Sequence, residues 1–254
     1  MDIGSHGKNF QFYKRCIGGV VLLKECGTIP ADEKDTYDLT ESGSPVSNDD
    51  VVGFKGYNIS AGTVIRMYDN SKGSTQDDWC EIIFKKDCAR IKITDLEQQV
   101  DNDKIRMLYF RDNGLKGKVS RIEVFPTEYT SPDEYPGYLA FYSKNNCEGG
   151  LSGCIDSSKG TYNCTKANSP IKNDDARSLV LFAVKSGTKI SVYDSSKEST
   201  KDDYCVISVL EDVPASEPCG VTTFEKDTRY DDICVTAYHR VNGLDGKVSS
   251  IKVS

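Results

Sequence analysis

The sequence predicts an all-β protein of two tandem Greek-key β-sandwich domains, each built from two sheets. Three observations lead there. Apolar and polar residues alternate with period two over short runs, which places the apolar side chains on one face of a sheet. Clusters of Gly, Asn, Asp and Ser, the residues that turns demand, separate those runs. And the chain repeats itself. Gly114-Leu-Lys-Gly-Lys-Val-Ser-Arg-Ile-Glu-Val124 returns as Gly243-Leu-Asp-Gly-Lys-Val-Ser-Ser-Ile-Lys-Val253, with eight of eleven positions identical. Seven or eight short strands in each copy, roughly, make two packed sheets the natural layer architecture.

The repeat holds its order throughout. Phe12-Tyr13 with Cys16 matches Phe141-Tyr142 with Cys147, and Ser44-Pro-Val-Ser-Asn-Asp-Asp50 matches Ser169-Pro-Ile-Lys-Asn-Asp-Asp175. Gly62-Thr63, Tyr68-Asp69 and Ser74-Thr-Gln-Asp-Asp-Trp-Cys80 match Gly187-Thr188, Tyr193-Asp194 and Ser199-Thr-Lys-Asp-Asp-Tyr-Cys205 at a constant offset of 125. The copies span residues 9–126 and 137–254, a common domain size. Between them lies 127–136, and the three prolines of Pro126–Pro136 read as a short, stiff, extended linker. Met1–Asn9 has no periodicity and is set aside as a lead-in foreign to the fold.

Each strand of the second copy has its own justification. Tyr138–Tyr142, Ser178–Val184, Tyr204–Leu210, Gly220–Phe224 and Asp232–His239 are short apolar or alternating runs bounded by turn residues. In Lys189–Tyr193 the apolar face is Ile190 and Val192. In Val248–Val253 it is Val248, then Ile251 and Val253 after a phase change at Ser249-Ser250, the mark of a bulge or a strand start. One helical alternative remains at Ile93–Arg106, where Leu96 and Val100 are four apart.

Of 254 residues 37% are hydrophobic and 28% charged, enough for a packed core and too apolar for a chain disordered throughout. The net charge of −7 disfavours nucleic acid and anionic membrane as partners. No apolar run approaches the roughly 20 residues that span a bilayer, so no transmembrane segment is expected. The patch Ile17–Leu23 is too short for the apolar region of a secretory leader, which a secreted form would have lost before this numbering begins.

Ten cysteines, no C-x2-C pair and only two histidines argue against zinc and for an oxidising, extracellular compartment. The expectation is a disulfide-stabilised, secreted protein. Cys80 with Cys88 and Cys205 with Cys219 would each close a strand-turn-strand segment. Cys16 pairs with Cys26, and Cys147 with Cys154 or Cys164. Cys234, aligned with Met107, takes whichever of Cys154 and Cys164 is left; spacing alone fixes no connectivity. Sequons at Asn58-Ile-Ser60 and Asn163-Cys-Thr165 agree with a secreted glycoprotein.

The second half resembles a βγ-crystallin domain, a double Greek key of two motifs. Calcium-binding members carry N/D-N/D-x-x-S/T-S near the end of each motif. Asp174-Asp175-Ala-Arg-Ser178-Leu179 matches as far as Ser178, and Asp245-Gly246-Lys-Val-Ser249-Ser250 matches except at Gly246. Tyr142-Ser-Lys-Asn-Asn-Cys-Glu-Gly149 is similar to the family's folded hairpin, and Tyr193-Asp194 and Tyr68-Asp-Asn-Ser-Lys-Gly73 would open second hairpins. The first half keeps the acids of Asn48-Asp49-Asp50 but has Gly53 in place of Ser178 and Lys116 in place of an acidic ligand.

The resemblance implies Ca2+ held between one motif's Asp/Ser segment and the hairpin carbonyls of its partner motif. Calcium takes six to eight hard oxygens, and extracellular modules bind it at about 10⁻⁴–10⁻³ M. The candidate ligands are Asp174, Asp175 and Ser178 for one site and Asp245 and Ser249 for another, with Asp49 and Asp50 in the first half. The plainer reading of each Asp-Asp is a turn whose carboxylates bond nearby backbone.

Other chemistry is poorly supplied. Asp77-Asp78, Asp202-Asp203 and Asp231-Asp232 recur as pairs, but neighbours in a strand point to opposite faces and cannot share one acid–base task. Their recurrence suggests that they hold the loop before Cys80 and Cys205. His239 is the one histidine inside the repeat, too little for a triad. The expectation is a non-enzymatic, secreted, calcium-binding protein with a structural or cell-adhesion role, and a cell-surface protein or a glycan as partner. The alternative is a secreted recognition protein (a lectin, an effector or a defence protein) whose Asp/Ser motifs are only turn scaffolding.

Overall fold

A computed structural model describes residues 7–15 and 23–254 of the chain. It is all-β, and it divides into two compact units, one up to Ser74 with Asp78–Tyr135 and the other Thr75–Asp77 with Pro136–Ser254. The first unit holds β1 (Asn9–Arg15), β2 (Leu23–Pro30), β3 (Asp35–Asp38), β4 (Gly53–Ile59), β5 (Val64–Tyr68), β6 (Trp79–Phe84), β7 (Cys88–Ile93), β8 (Val100–Asp101), β9 (Ile105–Phe110) and β10 (Arg121–Phe125). The second holds β11 (Tyr138–Lys144), β12 (Glu148–Asp156), β13 (Gly160–Asn163), β14 (Ser178–Phe182), β15 (Lys189–Tyr193), β16 (Tyr204–Val209), β17 (Cys219–Val221), β18 (Thr228–Tyr230), β19 (Cys234–His239) and β20 (Ser250–Val253). Among the described residues no helix is long and apolar enough to cross a membrane.

Each unit has a four-stranded and a six-stranded sheet. In the first the orders are β2-β1-β4-β7 and β3-β10-β5-β6-β9-β8. In the second they are β12-β11-β14-β17 and β13-β20-β15-β16-β19-β18, the same arrangement strand for strand. All ladders are antiparallel. Two strands in each unit leave their chain neighbours: β3 pairs with β10 across the sandwich, and β7 pairs with β4. The two sheets are thus laced together by the chain itself.

Alternation puts one core between the sheets of each unit. In β16 the odd positions Cys205, Ile207 and Val209 are buried, and Tyr204, Val206 and Ser208 are half-exposed. The first core gathers Phe10, Phe12 and Phe54 against Ile65, Met67 and Ile82; the second gathers Phe141, Leu179 and Leu181 against Ile190, Val192 and Ile207.

Three strands of the second copy escape the alternation rule: β12, β13 and β18. The first of these is Glu-Gly-Gly-Leu-Ser-Gly-Cys-Ile-Asp, which reads as a turn. Its glycine has a steric cause. A Cβ on Gly153 would lie 2.0 Å from the Pro170 carbonyl oxygen, and on Gly27 2.2 Å from that of Pro45. Both glycines bridge to the residue after the proline, Ile171 and Val46. The repeated Ser-Pro-Val/Ile motif is therefore a segment laid directly on a glycine of the second strand, where only hydrogen fits.

The helical alternative at Ile93–Arg106 is not adopted: β7 ends at Ile93, a loop follows, and β8 and β9 form a hairpin. Residues 127–135 are not a free extended linker. Glu128 N–H donates to the Gly62 carbonyl (3.0 Å), and the Glu134 carboxylate accepts from Thr130 N–H (2.6 Å) and Ser131 N–H (3.2 Å), closing a 3-10 turn at Pro132–Glu134. None of the expected cysteine pairs stands at bonding distance among the described residues, and Cys16 lies outside them. Burial pushes the Cys26, Cys147 and Cys164 thiols up to about 11 and Cys205 to about 12.

The reason lies in the register. Cys80 is in the six-stranded sheet and Cys88 in the four-stranded one. Cys219 sits beside Leu181 where the first unit has Ile91 beside Gly56, so Cys88 is not its counterpart. Likewise Cys234 opposes Val209 as Ile105 opposes Phe84, so its counterpart is Ile105 rather than Met107.

Gly153→Ala and Gly27→Ala should each destabilise their domain by about 1–3 kcal/mol, the usual cost of forcing a methyl into a filled contact. Gly160→Ala, whose nearest neighbour would be 3.7 Å away, should stay within about 0.5 kcal/mol. Urea unfolding of the three variants checks this.

Candidate metal centre

The seven candidate ligands fall into groups that the spacing did not foresee. Ser178 begins β14 and is fully buried. Its hydroxyl donates to the Lys144 carbonyl (2.6 Å) and accepts from Cys147 N–H (3.0 Å). Lys144 ends β11, and the next residues turn sharply, with Asn146 and Cys147 both at positive φ. The turn brings Asn145 to Asp245, where its Nδ2 donates to Asp245 Oδ2 at 2.8 Å. Ser178 thus fastens the turn from which Asn145 reaches Asp245, and it makes no hydrogen bond to Asp174 or Asp175.

Two oxygens in this cluster have no partner. Asn145 Oδ1 and Asp245 Oδ1 are buried and accept no hydrogen bond. Burial pushes the Asp245 carboxyl up, against the hydrogen bond from Asn145, which lowers it. The nearest cation is Arg177, whose guanidinium reaches only to 4.0 Å from Asp245 Oδ2. Gly246 is left-handed at φ 68°, a backbone conformation that favours glycine.

Asp174 belongs with Ser249. The Ser249 hydroxyl donates to Asp174 Oδ1 (3.2 Å), and Asn173 Nδ2 donates to Oδ2 (2.6 Å). Asp174 N–H also donates to the Val248 carbonyl (3.2 Å), and the residue is left-handed at φ 54°. Both its oxygens are occupied by this turn. Asp175 stands apart and accepts from the buried Ser152 hydroxyl at 2.7 Å.

The first domain repeats the second of these groups and lacks the first. Ser120 donates to Asp49 Oδ1 (3.3 Å) and Asn48 to Asp49 Oδ2 (2.8 Å), as Ser249 and Asn173 do to Asp174. Asp50 is held in an ion pair by Lys14 at 2.7 Å. Lys116, the counterpart of Asp245, pairs with Asp95 (2.9 Å) and Glu97 (3.6 Å). Gly53 offers no hydroxyl, and a Cβ there would sit 2.3 Å from the Ile93 carbonyl oxygen. The segment matching the Lys144–Cys147 turn, including Cys16, lies outside the described residues.

The loop that carries Asp245 is positioned by two carboxylates. Asp203, fully buried, accepts the amides of Val241 (3.0 Å), Asn242 (2.7 Å) and Gly243 (3.0 Å) and the Tyr238 hydroxyl (2.7 Å). Glu225 Oε1 accepts the next two amides, Leu244 (2.6 Å) and Asp245 (2.8 Å). Asp78 takes the amides of Asp112, Asn113 and Gly114, and Glu97 those of Leu115 and Lys116, in the same way. The acidic pairs thus hold the loop of the Gly-Leu-x-Gly motif, and not the one before the cysteine. Glu97 and Glu225 were not singled out from the sequence, although the repeat places one in each copy.

Burial pushes the Asp203 carboxyl up, but the hydrogen bonds from Asn242, Val241, Tyr238 and Gly243 outweigh it and hold the group at about 2. Three carboxylates meet there, Asp194, Asp202 and Asp203. Burial and the nearby Asp202 push Asp194 up. Asp203 is already committed to its four donors. His239 is exposed and stacks on Tyr204 at 5.1 Å.

No family model matches the chain, and comparison with curated proteins and with solved structures finds no match.

Asp203→Asn should cost the second domain about 2–4 kcal/mol near neutral pH, because it turns an acceptor toward amide donors. A carboxyl held below its unfolded value of about 3.9 stabilises fully above that pH and loses its contribution as pH falls through about 2. The native protein should therefore lose stability between roughly pH 4 and 2, and the variant should lose less across that window. Urea melts at stepped pH measure both.

Proposed function

We propose that the chain is a non-enzymatic, βγ-crystallin-like structural or adhesive protein of the extracellular space, and that it binds calcium weakly through its second domain. The observation that carries the proposal is the pair of buried oxygens on Asn145 and Asp245 that accept no hydrogen bond, on side chains joined to each other by the Asn145 amide. A buried oxygen without a donor costs free energy, roughly 1–3 kcal/mol, and more when it is charged. A hard cation relieves that cost. The two oxygens would be its anchor, with water or neighbouring carbonyls for the rest of a calcium coordination shell. The donor set has no nitrogen or sulfur, which favours calcium over transition metals.

The strand order supports the family reading. In a Greek key the fourth strand returns beside the first, in the spatial order 4-1-2-3. Here β4-β1-β2 and β10-β5-β6 each give 4-1-2, and β3 and β7 are donated to the opposite sheet. The hairpin β8-β9 is an addition to that plan. In the second domain the ligands would come from both motifs, the turn from the first and Asp245 from the segment before β20 of the second, which is the kind of shared site that the resemblance implies. The ten cysteines and the two sequons support an extracellular setting.

A ligand that binds only the folded state raises its stability, by about 2.7 kcal/mol at a hundredfold excess over the dissociation constant. The melting temperature of the full chain should rise between excess EDTA and roughly millimolar calcium. The rise should vanish in Asp245→Asn and persist in Asp50→Asn, whose carboxylate is held by Lys14. Equal melting with and without calcium in the native protein would overturn the proposal.

A further inference from the structure

Cys219 stands on β17 in the four-stranded sheet, and Cys234 opens β19 in the six-stranded sheet of the same domain. Their Sγ atoms lie 3.8 Å apart in the core, with exposures of 8% and 0%. A disulfide needs a sulfur separation of about 2.0 Å, so a small inward movement of the two side chains completes the bond. The first domain has isoleucine at both places, Ile91 and Ile105, by the ladder register. A single buried cysteine is an ordinary core residue. Here both members of one cross-sheet contact are cysteine in one copy, and neither is in the other.

We propose that Cys219 and Cys234 form a reactive thiol pair that closes to an inter-sheet disulfide by exchange with a small-molecule disulfide of the glutathione class. The first step is attack of the Cys219 thiolate on one sulfur of that disulfide. A mixed disulfide forms, and one small thiolate leaves and takes up the proton that Cys219 gave up. The Cys234 thiolate then attacks Cys219 Sγ, and the second small thiolate leaves with the proton from Cys234. Two protein thiols are oxidised by two electrons, and one small disulfide is reduced to two thiols. Cys219 is the attacking group because it is the more exposed. The two thiols also share a hydrogen bond, which lowers the Cys219 pKa and raises that of Cys234.

The bond would tie the two sheets through the one segment that carries Glu225, the carboxylate that holds the amides of Leu244 and Asp245. The inference stands without calcium, since it rests on the two thiols alone.

The test uses the full chain, reduced and then incubated with oxidised glutathione. After denaturation and alkylation of the remaining thiols, it is digested without reductant and mapped by mass spectrometry. The expected result is a peptide pair linked between Cys219 and Cys234, a mass loss of two hydrogens, and a higher melting temperature that reductant reverses. Cys234→Ser should arrest the reaction as a glutathione adduct on Cys219. Recovery of both residues as alkylated thiols in the native protein would overturn the proposal, as would a link from either to another cysteine. The native peptide map decides the matter even if the serine variant does not fold.

Discussion

The second domain depends on one buried carboxylate. Asp203 would be costly in the core if it were not fully hydrogen-bonded. It is bonded by three consecutive amides and a tyrosine hydroxyl, and those amides belong to a loop with few backbone partners of its own. The need is mutual. The loop turns through Gly243 and Gly246, both at positive φ, and drives Leu244 fully into the core. Glu225 takes the next two amides, so five successive N–H groups end on two carboxylates. The position of Asp245, and hence of any cation beside it, follows from this arrangement. Asp78 and Glu97 serve the first domain identically, with Leu115 as the buried residue.

This anchor closes what the strand exchange opens. Sending β3 to the far sheet and β7 to the near one leaves long connections at one end of each sandwich. Such connections must satisfy their buried amides without a ladder. The acidic residues do so there, and the Ser-Pro segments do so where they cross Gly27 and Gly153. The residues that repeat most faithfully between the copies are therefore the ones that fasten loops, while core positions vary within apolar types, as at Met67 and Val192. Packing tolerates a change of shape better than a hydrogen-bond network tolerates the loss of a donor or acceptor.

The same distinction decides what could be read from the sequence. Strands with clean alternation, such as Lys189–Tyr193 and Tyr204–Val209, were legible because period two is a property of the strand itself. The β12 strand was not, because its glycines answer to a proline segment far along the chain. Leu96 and Val100 imitated a helix because spacing of four also arises when a loop and a short strand each bury one residue. In the site, the residue types were legible and their grouping was not. Asp174, Ser178, Asp245 and Ser249 all matter to the two clusters, but which shares a cluster with which depends on the strand exchange, and that is a matter of tertiary order. Asn145 and Glu225 carried no motif; only comparison of the two copies could have marked Glu225. The cysteines misled for a related reason. Sequence spacing aligned Cys219 with Cys88, whereas the ladders align it with Ile91.

The two copies share a scaffold and differ where the scaffold allows. At Gly53 a Cβ would lie 2.3 Å from the Ile93 carbonyl oxygen, so packing closes the first domain to a serine at this position. Restoring a serine there would collide with the backbone before it reached a cation. The loss of Asp at Lys116 then carries no further penalty, and the lysine is free to pair with Asp95 and Glu97, one of which already serves the loop anchor. In the second domain the same anchor holds a carboxylate beside Asn145, and Ile91 and Ile105 have been replaced by two thiols in contact. The two copies keep the fastening and differ around it: one domain has ion pairs at Lys116 and Asp50, and the other has the buried oxygens of Asn145 and Asp245 and two thiols in contact.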